Sequence, residues 1–239
     1  MPHSVKWVNG SSKRCKRRVK PIYPYIWSMR IPFLLLLVGL GFSGMAQTSD
    51  LPDFRPKREN FSKVTDPGIH NDLIYFTLAG LDLRVGKPMA ASLPVVASDG
   101  SSITFGGDQI QVVIKSAPFD KAKHKLGYIG YPDKHLVKID NKPFFGGYGD
   151  MPNTAITSVT LIQGKDTVRV PPVALSDLFE PLFMYRDGGQ SKTHDGVYQS
   201  ADKKTVYIYM LNKEGNGYYE VTWVIRDNAY LRRVVDPTL

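Results

Sequence analysis

The last third of the chain restricts the fold most. TVYIYMLN (205–212), GYYEVTWVIR (217–226) and AYLRRVVD (229–236) alternate β-branched and aromatic residues with others. Only KEGNG (213–217) and Asp227-Asn228 connect them. A period of two over such segments, with connections this short, predicts an antiparallel meander.

The same signal recurs upstream. SLPVVASDGSSITFGG predicts two short strands about a turn at Asp99-Gly100, and IQVVIK (110–115) a clearer one. HLVKID (135–140) alternates and runs into a turn at Asp140-Asn141-Lys142. ITSVTLIQGKDTVRV (156–170) reads as a hairpin about Gln163-Gly164-Lys165-Asp166. LIYFTLAGLDL (73–83) has strand composition. VALSDLFEPLF (173–183) predicts one short helix, capped by Ser176 and limited by Pro181. Long helical patterns are absent, so βαβ units have no support. The expected fold is mostly β: an antiparallel β-sandwich or compact β-barrel-like domain with one short helix, preceded by a hydrophobic signal helix.

Charge divides the chain. Residues 1–46 hold Lys6, Lys13, Arg14, Lys16, Arg17, Arg18, Lys20 and Arg30 and no acidic residue. Of 31 basic and 22 acidic residues in total, 23 and 22 remain for 47–239. The basic character of the whole therefore argues for no nucleic-acid surface on the folded region. The single cysteine, Cys15, excludes a disulfide framework and any cysteine nucleophile or cysteine-based metal site beyond it.

Between Arg30 and Gln47 lie 16 uncharged residues, IPFLLLLVGLGFSGMA. As a helix they span about 24 Å, short of a hydrocarbon core of about 30 Å. Basic Arg30 precedes them and Gly44-Met45-Ala46 closes them with small residues. The segment resembles a secretory signal peptide cut between Ala46 and Gln47. Met29 offers an alternative start, which would make 1–28 a mis-assigned extension; otherwise 1–28 is a basic disordered leader. The expected organisation is 29–46 signal, 47–68 extended lead-in and 69–239 one exported β domain, with a two-subdomain division near 140–155 as the alternative.

Candidate sites are sparse. FFGGYGDMPNT (144–154) joins glycines and aromatics to polar groups, making Tyr148 and Asp150 ligand candidates, against a plain tight connection. RDGGQSKTHDGVYQSADKK (186–204) offers Asp187, His194, Asp195 and Asp202, without the order of a calcium loop. Ser191, His194 and Asp195 carry the names of a triad but not its sequence context. Glu180 and Asp187 form a nominal carboxylate pair. His70, His124, His135 and His194 lack metal-ligand spacing. Tyr207, Tyr209, Tyr218, Tyr219, Trp223 and Tyr230 concentrate aromatics in the meander, and Tyr219 and Trp223 are candidates for an exposed stacking platform should one face stay open.

No cofactor is implied. The expected role is binding or structural contact, in the periplasm, at the cell envelope or outside the cell. A glycan, peptide or envelope protein is the expected partner, and membrane contact is expected to be transient, through the signal segment. The alternative is a secreted carbohydrate-active enzyme.

Overall fold

The computed structural model describes residues 51–75, 77, 92–107, 109–213 and 218–237. The signal segment, with Ala46 and Gln47, lies outside them. Residues from Leu51 onward form one compact unit, mostly β with one short α-helix.

The first sheet is built from β1 (Val95–Asp99), β2 (Ser102–Gly107), β3 (Ile110–Pro118), β6 (Thr154–Gln163) and β7 (Asp166–Arg169), neighbouring in that order. The second runs β10 (Gly196–Gln199), β11 (Thr205–Asn212), β12 (Tyr219–Arg226) and β13 (Ala229–Asp236). All pairings are antiparallel. Two smaller hairpins, β4 (Leu126–Ile129) with β5 (His135–Ile139) and β8 (Tyr185–Asp187) with β9 (Gln190–Lys192), stand beside them. β3 pairs with β6 across residues 119–153, so one sheet spans the 140–155 stretch.

Inner faces of both sheets bury one shared core. Ile103, Phe105, Val112, Ile114, Val159 and Leu161 come from the first; Val206, Ile208, Met210, Val221, Trp223 and Ile225 come from the second. The chain bridges one pair of sheet edges: Leu93 N–H donates to Val197 O (2.8 Å), and Gly106 N–H donates to Pro94 O (2.9 Å).

The predicted turns hold for physical reasons visible in their backbones. Asp227 and Asn228 have φ of 50° and 57°, Asp140 and Asn141 51° and 63°. These are the left-handed angles that two-residue hairpins need and that Asn and Asp tolerate best. Gly164 takes φ 60° in the β6–β7 turn.

Two predicted elements are corrected. Residues 173–183 form no α-helix: a 3₁₀ turn at Pro172–Ala174 runs through a further turn at 175–177 into bridged chain at Leu178 and Phe179. Phe145 N–H donates to Asp177 O, Phe179 N–H to Phe145 O, and Glu180 N–H to Thr154 O. Pairing with Phe145 and with Thr154 of β6 stops the i→i−4 ladder after its single Ser176 N–H to Pro172 O bond (3.0 Å), and Glu180 at φ 53° ends helical geometry before Pro181. The α-helix lies instead at α1 (Pro67–Ile74), overlapping the expected lead-in and the start of the expected 73–83 strand. Asp66 caps it, accepting from Gly68 and Ile69 N–H (2.9 and 3.0 Å), with Pro67 at its first position. Residues 76 and 78–83 of the expected strand lie outside the described residues.

Ile69 and Leu73, four apart on one helical face, pack on Tyr207, Tyr209, Leu211, Val224 and Val234 of the second sheet's outer face. That sheet is therefore covered on both sides, and all of β11 is buried. Among the described residues, no helix is long and apolar enough to cross a membrane.

Candidate functional site

The chain before α1 runs along the free edge of β13. Val235 N–H donates to Glu59 O (3.0 Å), and Phe61 N–H donates to the Asp236 carboxylate (2.8 Å). Glu59 is thereby set beside Arg233. On the other side, the 173–183 segment brings Asp177, its carbonyl pinned by Phe145 N–H (2.7 Å).

Arg233 sits between these two carboxylates with 6 % of its surface exposed. Its Nε and Nη2 donate to Glu59 (3.2 and 2.8 Å). Nη1 and Nη2 donate to Asp177 (2.5 and 2.7 Å), and Nη1 also reaches Ala174 O (3.3 Å). Burial works against the charge, but the two carboxylates more than offset it and hold the guanidinium above its ordinary pKa. This double fork is the geometry at which Arg cannot be replaced by Lys.

A bulge decides which arginine turns in. Ile225 pairs with Tyr230 and Val224 with Arg232, leaving Leu231 as an extra residue. Beyond it Arg233 faces with Trp223 toward the interior, while Arg232 faces with Val224 toward the α1 side. Regular alternation from inward Tyr230 would have exchanged the two.

Arg233 and Glu59 form the wall between two concavities. One, of about 310 Å³, is lined by Phe54, Arg58, Lys142, Val173 and Ser176. The other is a more open groove of about 580 Å³, lined by Asp66, Ile69, Arg226, Tyr230, Leu231 and Arg232. Arg226 donates to Asp66 (3.0 Å) and Thr205 (3.3 Å). The Asp66 bond raises the Arg226 pKa, and the helix N–H of Ile69, then Arg226, hold Asp66 below the usual carboxylate range. Arg232 has no hydrogen bond or ion pair among the described residues, and its Nε is buried without a partner.

Of the residues singled out from sequence, Tyr230 lines the open groove and Trp223 lies opposite Arg233 across β12 and β13, whereas Tyr148, Asp150, Asp187, His194, Asp195 and Tyr219 line neither concavity. Tyr219 and Trp223 are fully buried, donating to Phe179 O (3.0 Å) and Ala174 O (3.2 Å). They fill the core and offer no stacking platform, because the facing sheet and the 173–183 segment cover them. Tyr148 is also buried; its hydroxyl donates to Pro52 O (3.0 Å) and accepts from Phe54 N–H (3.2 Å), and Arg55 lies 4.9 Å from its ring centroid. It clamps the lead-in. Asp150 is exposed in the loop after it.

Asp187 pairs with Lys192 (2.7 Å) on the β8–β9 hairpin, whereas Glu180 accepts from Gly147 and Asn153 N–H (both 3.2 Å). Each carboxylate is engaged in its own local structure. His194 stacks on Tyr185 (4.3 Å between centroids), and burial lowers its pKa. Asp195 is buried, accepting from Leu211 N–H (3.1 Å), with its other oxygen unbonded. Neither partner set joins Ser191, His194 and Asp195 into a triad. His124 binds Asp140 (2.7 Å) and His70 stacks on Phe61. Among the described residues no group of three or more His, Cys, Asp or Glu is placed to hold a metal.

Sequence reading missed Glu59, Asp177, Arg226, Arg232 and Arg233. One signal was available: two adjacent arginines inside a predicted strand force one toward each face, and an inward arginine needs carboxylates. No protein-family model, curated protein or solved structure matches the chain.

Proposed function

We propose that the chain is an exported β domain, a sandwich bridged along one edge. Its role is binding or structural contact at the cell envelope or outside the cell, and it works through contact rather than catalysis. The observation that carries the binding part is the pair of concavities flanking the Arg233–Glu59–Asp177 network, on whose walls Arg58, Lys142 and Arg232 present charge. Pockets of this size accept small ligands or the projecting end of a larger one. Export rests on Arg30, the uncharged run after it and the small residues before Gln47.

The carbohydrate-active alternative draws no support from the carboxylates, since Glu180 and Asp187 serve separate local bonds. Two measurements test the reading. The full chain is expressed with a C-terminal tag in a secretion-competent host and the exported product is sequenced from its N-terminus. A start at Gln47 is expected; a product retained inside the cell with residues 29–46 intact overturns export. Release of reducing ends from any member of a broad polysaccharide panel overturns the non-catalytic role.

A further inference from the structure

The groove beside β13 is unevenly neutralised. Arg226 is held by Asp66 and Thr205, and Arg233 by Glu59 and Asp177. Arg232 is held by nothing among the described residues. Its neighbours on the groove wall are Tyr230 and Leu231, the latter 48 % exposed.

We propose that this groove binds a monoanionic oxyanion group, a carboxylate or a sulfate ester carried on a small ligand, through the Arg232 guanidinium. Charge sets the valence. Arg226 is paired with Asp66 and Arg233 is shared between Glu59 and Asp177, so Arg232 is the one guanidinium of the groove wall with no carboxylate partner among the described residues. A dianion would place its second charge against Glu59 and Asp66 with no cation left for it.

Partial burial sets the strength. With Nε already withdrawn from water and unbonded, Arg232 has lost part of its hydration in folding. Less desolvation then opposes pairing through its terminal nitrogens than at a fully hydrated arginine. Its planar fork matches both oxyanions. Exposed Leu231 supplies an apolar contact for the body of the ligand, and about 580 Å³ accommodates a monosaccharide-sized molecule.

The inference deepens the binding role proposed above and rests on it for its setting, yet the purified full-length chain tests it without reference to export. The chain is titrated by calorimetry with sodium glucuronate, glucose 6-sulfate and neutral glucose. Saturable binding of at least one anion is expected, and none of glucose; which anion binds identifies the oxyanion. Arg232→Gln should weaken that binding about tenfold or more, while Lys134→Gln, an equal charge change between β4 and β5, should leave it unchanged. A thermal melt shows whether the Gln variant folds. If it does not, Arg232→Lys, which keeps the charge without the fork, must still bind more weakly than the parent. Absence of saturable binding by both anions, equal binding of glucose, or parental affinity in the folded variant overturns the proposal. Loss of export with anion binding intact would remove the location and leave the site.

Discussion

Replacing Asp195 by Asn should stabilise the protein, and more so as pH rises. The Asp195 carboxyl is enclosed at the start of β10. One oxygen accepts a single N–H from Leu211 at 3.1 Å; the other has no partner. Burial disfavours its charge, the lone hydrogen bond opposes this more weakly, and the pKa stands well above the usual carboxylate range. In the unfolded chain the same group titrates at about 3.9. Between those two values the folded form keeps a proton that the unfolded form has released. Stability therefore falls with rising pH across that window, at up to about 1.4 kcal/mol per pH unit, and levels off above the folded pKa. Asn keeps an oxygen for Leu211 and has no proton to lose. Taking the difference between variant and parent cancels every other titrating group, including Asp236, whose pKa burial raises, and Asp66, whose pKa is lowered. The assay is thermal unfolding of both proteins from pH 4 to pH 8. The gap in favour of Asn should be small at pH 4 and widen by up to ~3–5 °C per pH unit until it flattens. A gap that stays constant across the range, or one that shrinks as pH rises, refutes the reasoning and means the carboxylate is ionised and satisfied in the folded state.

Three further perturbations probe the same architecture. Arg233→Met leaves Glu59 and Asp177 facing each other without their cation, and urea unfolding should show a loss of about 3 kcal/mol or more; a loss under about 1 kcal/mol would show that the network does not hold this end together. Tyr148→Phe removes the hydroxyl that bonds Pro52 and Phe54, and should cost about 1 kcal/mol while speeding proteolytic cleavage within residues 51–56; unchanged cleavage would mean the clamp lies elsewhere. Gly146→Ala should destabilise by more than about 1 kcal/mol in the same urea assay, because Gly146 has φ 122° and its new Cβ would stand 2.8 Å from Phe179 O.

Much of the β architecture was legible, for a local reason. β11 to β13 carry their alternation in their own residues, and Asp227-Asn228 and Asp140-Asn141 carry the angles of their turns. The helix is the element whose local signals conflict: Asp66-Pro67 marks a helix start, yet the apolar LIYF beyond it reads as strand. At 173–183 the local preference was overruled outright, since Phe145 and Thr154 offer that backbone partners no local signal announces.

Sequence by itself determined that the chain would form antiparallel strands, where most of them run, and that its positive charge concentrates before residue 47. Tertiary structure alone decided what the aromatics and arginines do. Trp223 and Tyr219 became core because a second sheet and the 173–183 segment cover them, and no pattern within β12 distinguishes a covered face from an open one. Arg233 turned inward because of a one-residue bulge at Leu231, and the carboxylates that stabilise it arrive from 56 and 174 positions away. Charge pairing over such separations depends on where the chain returns, and only the assembled sheets specify that.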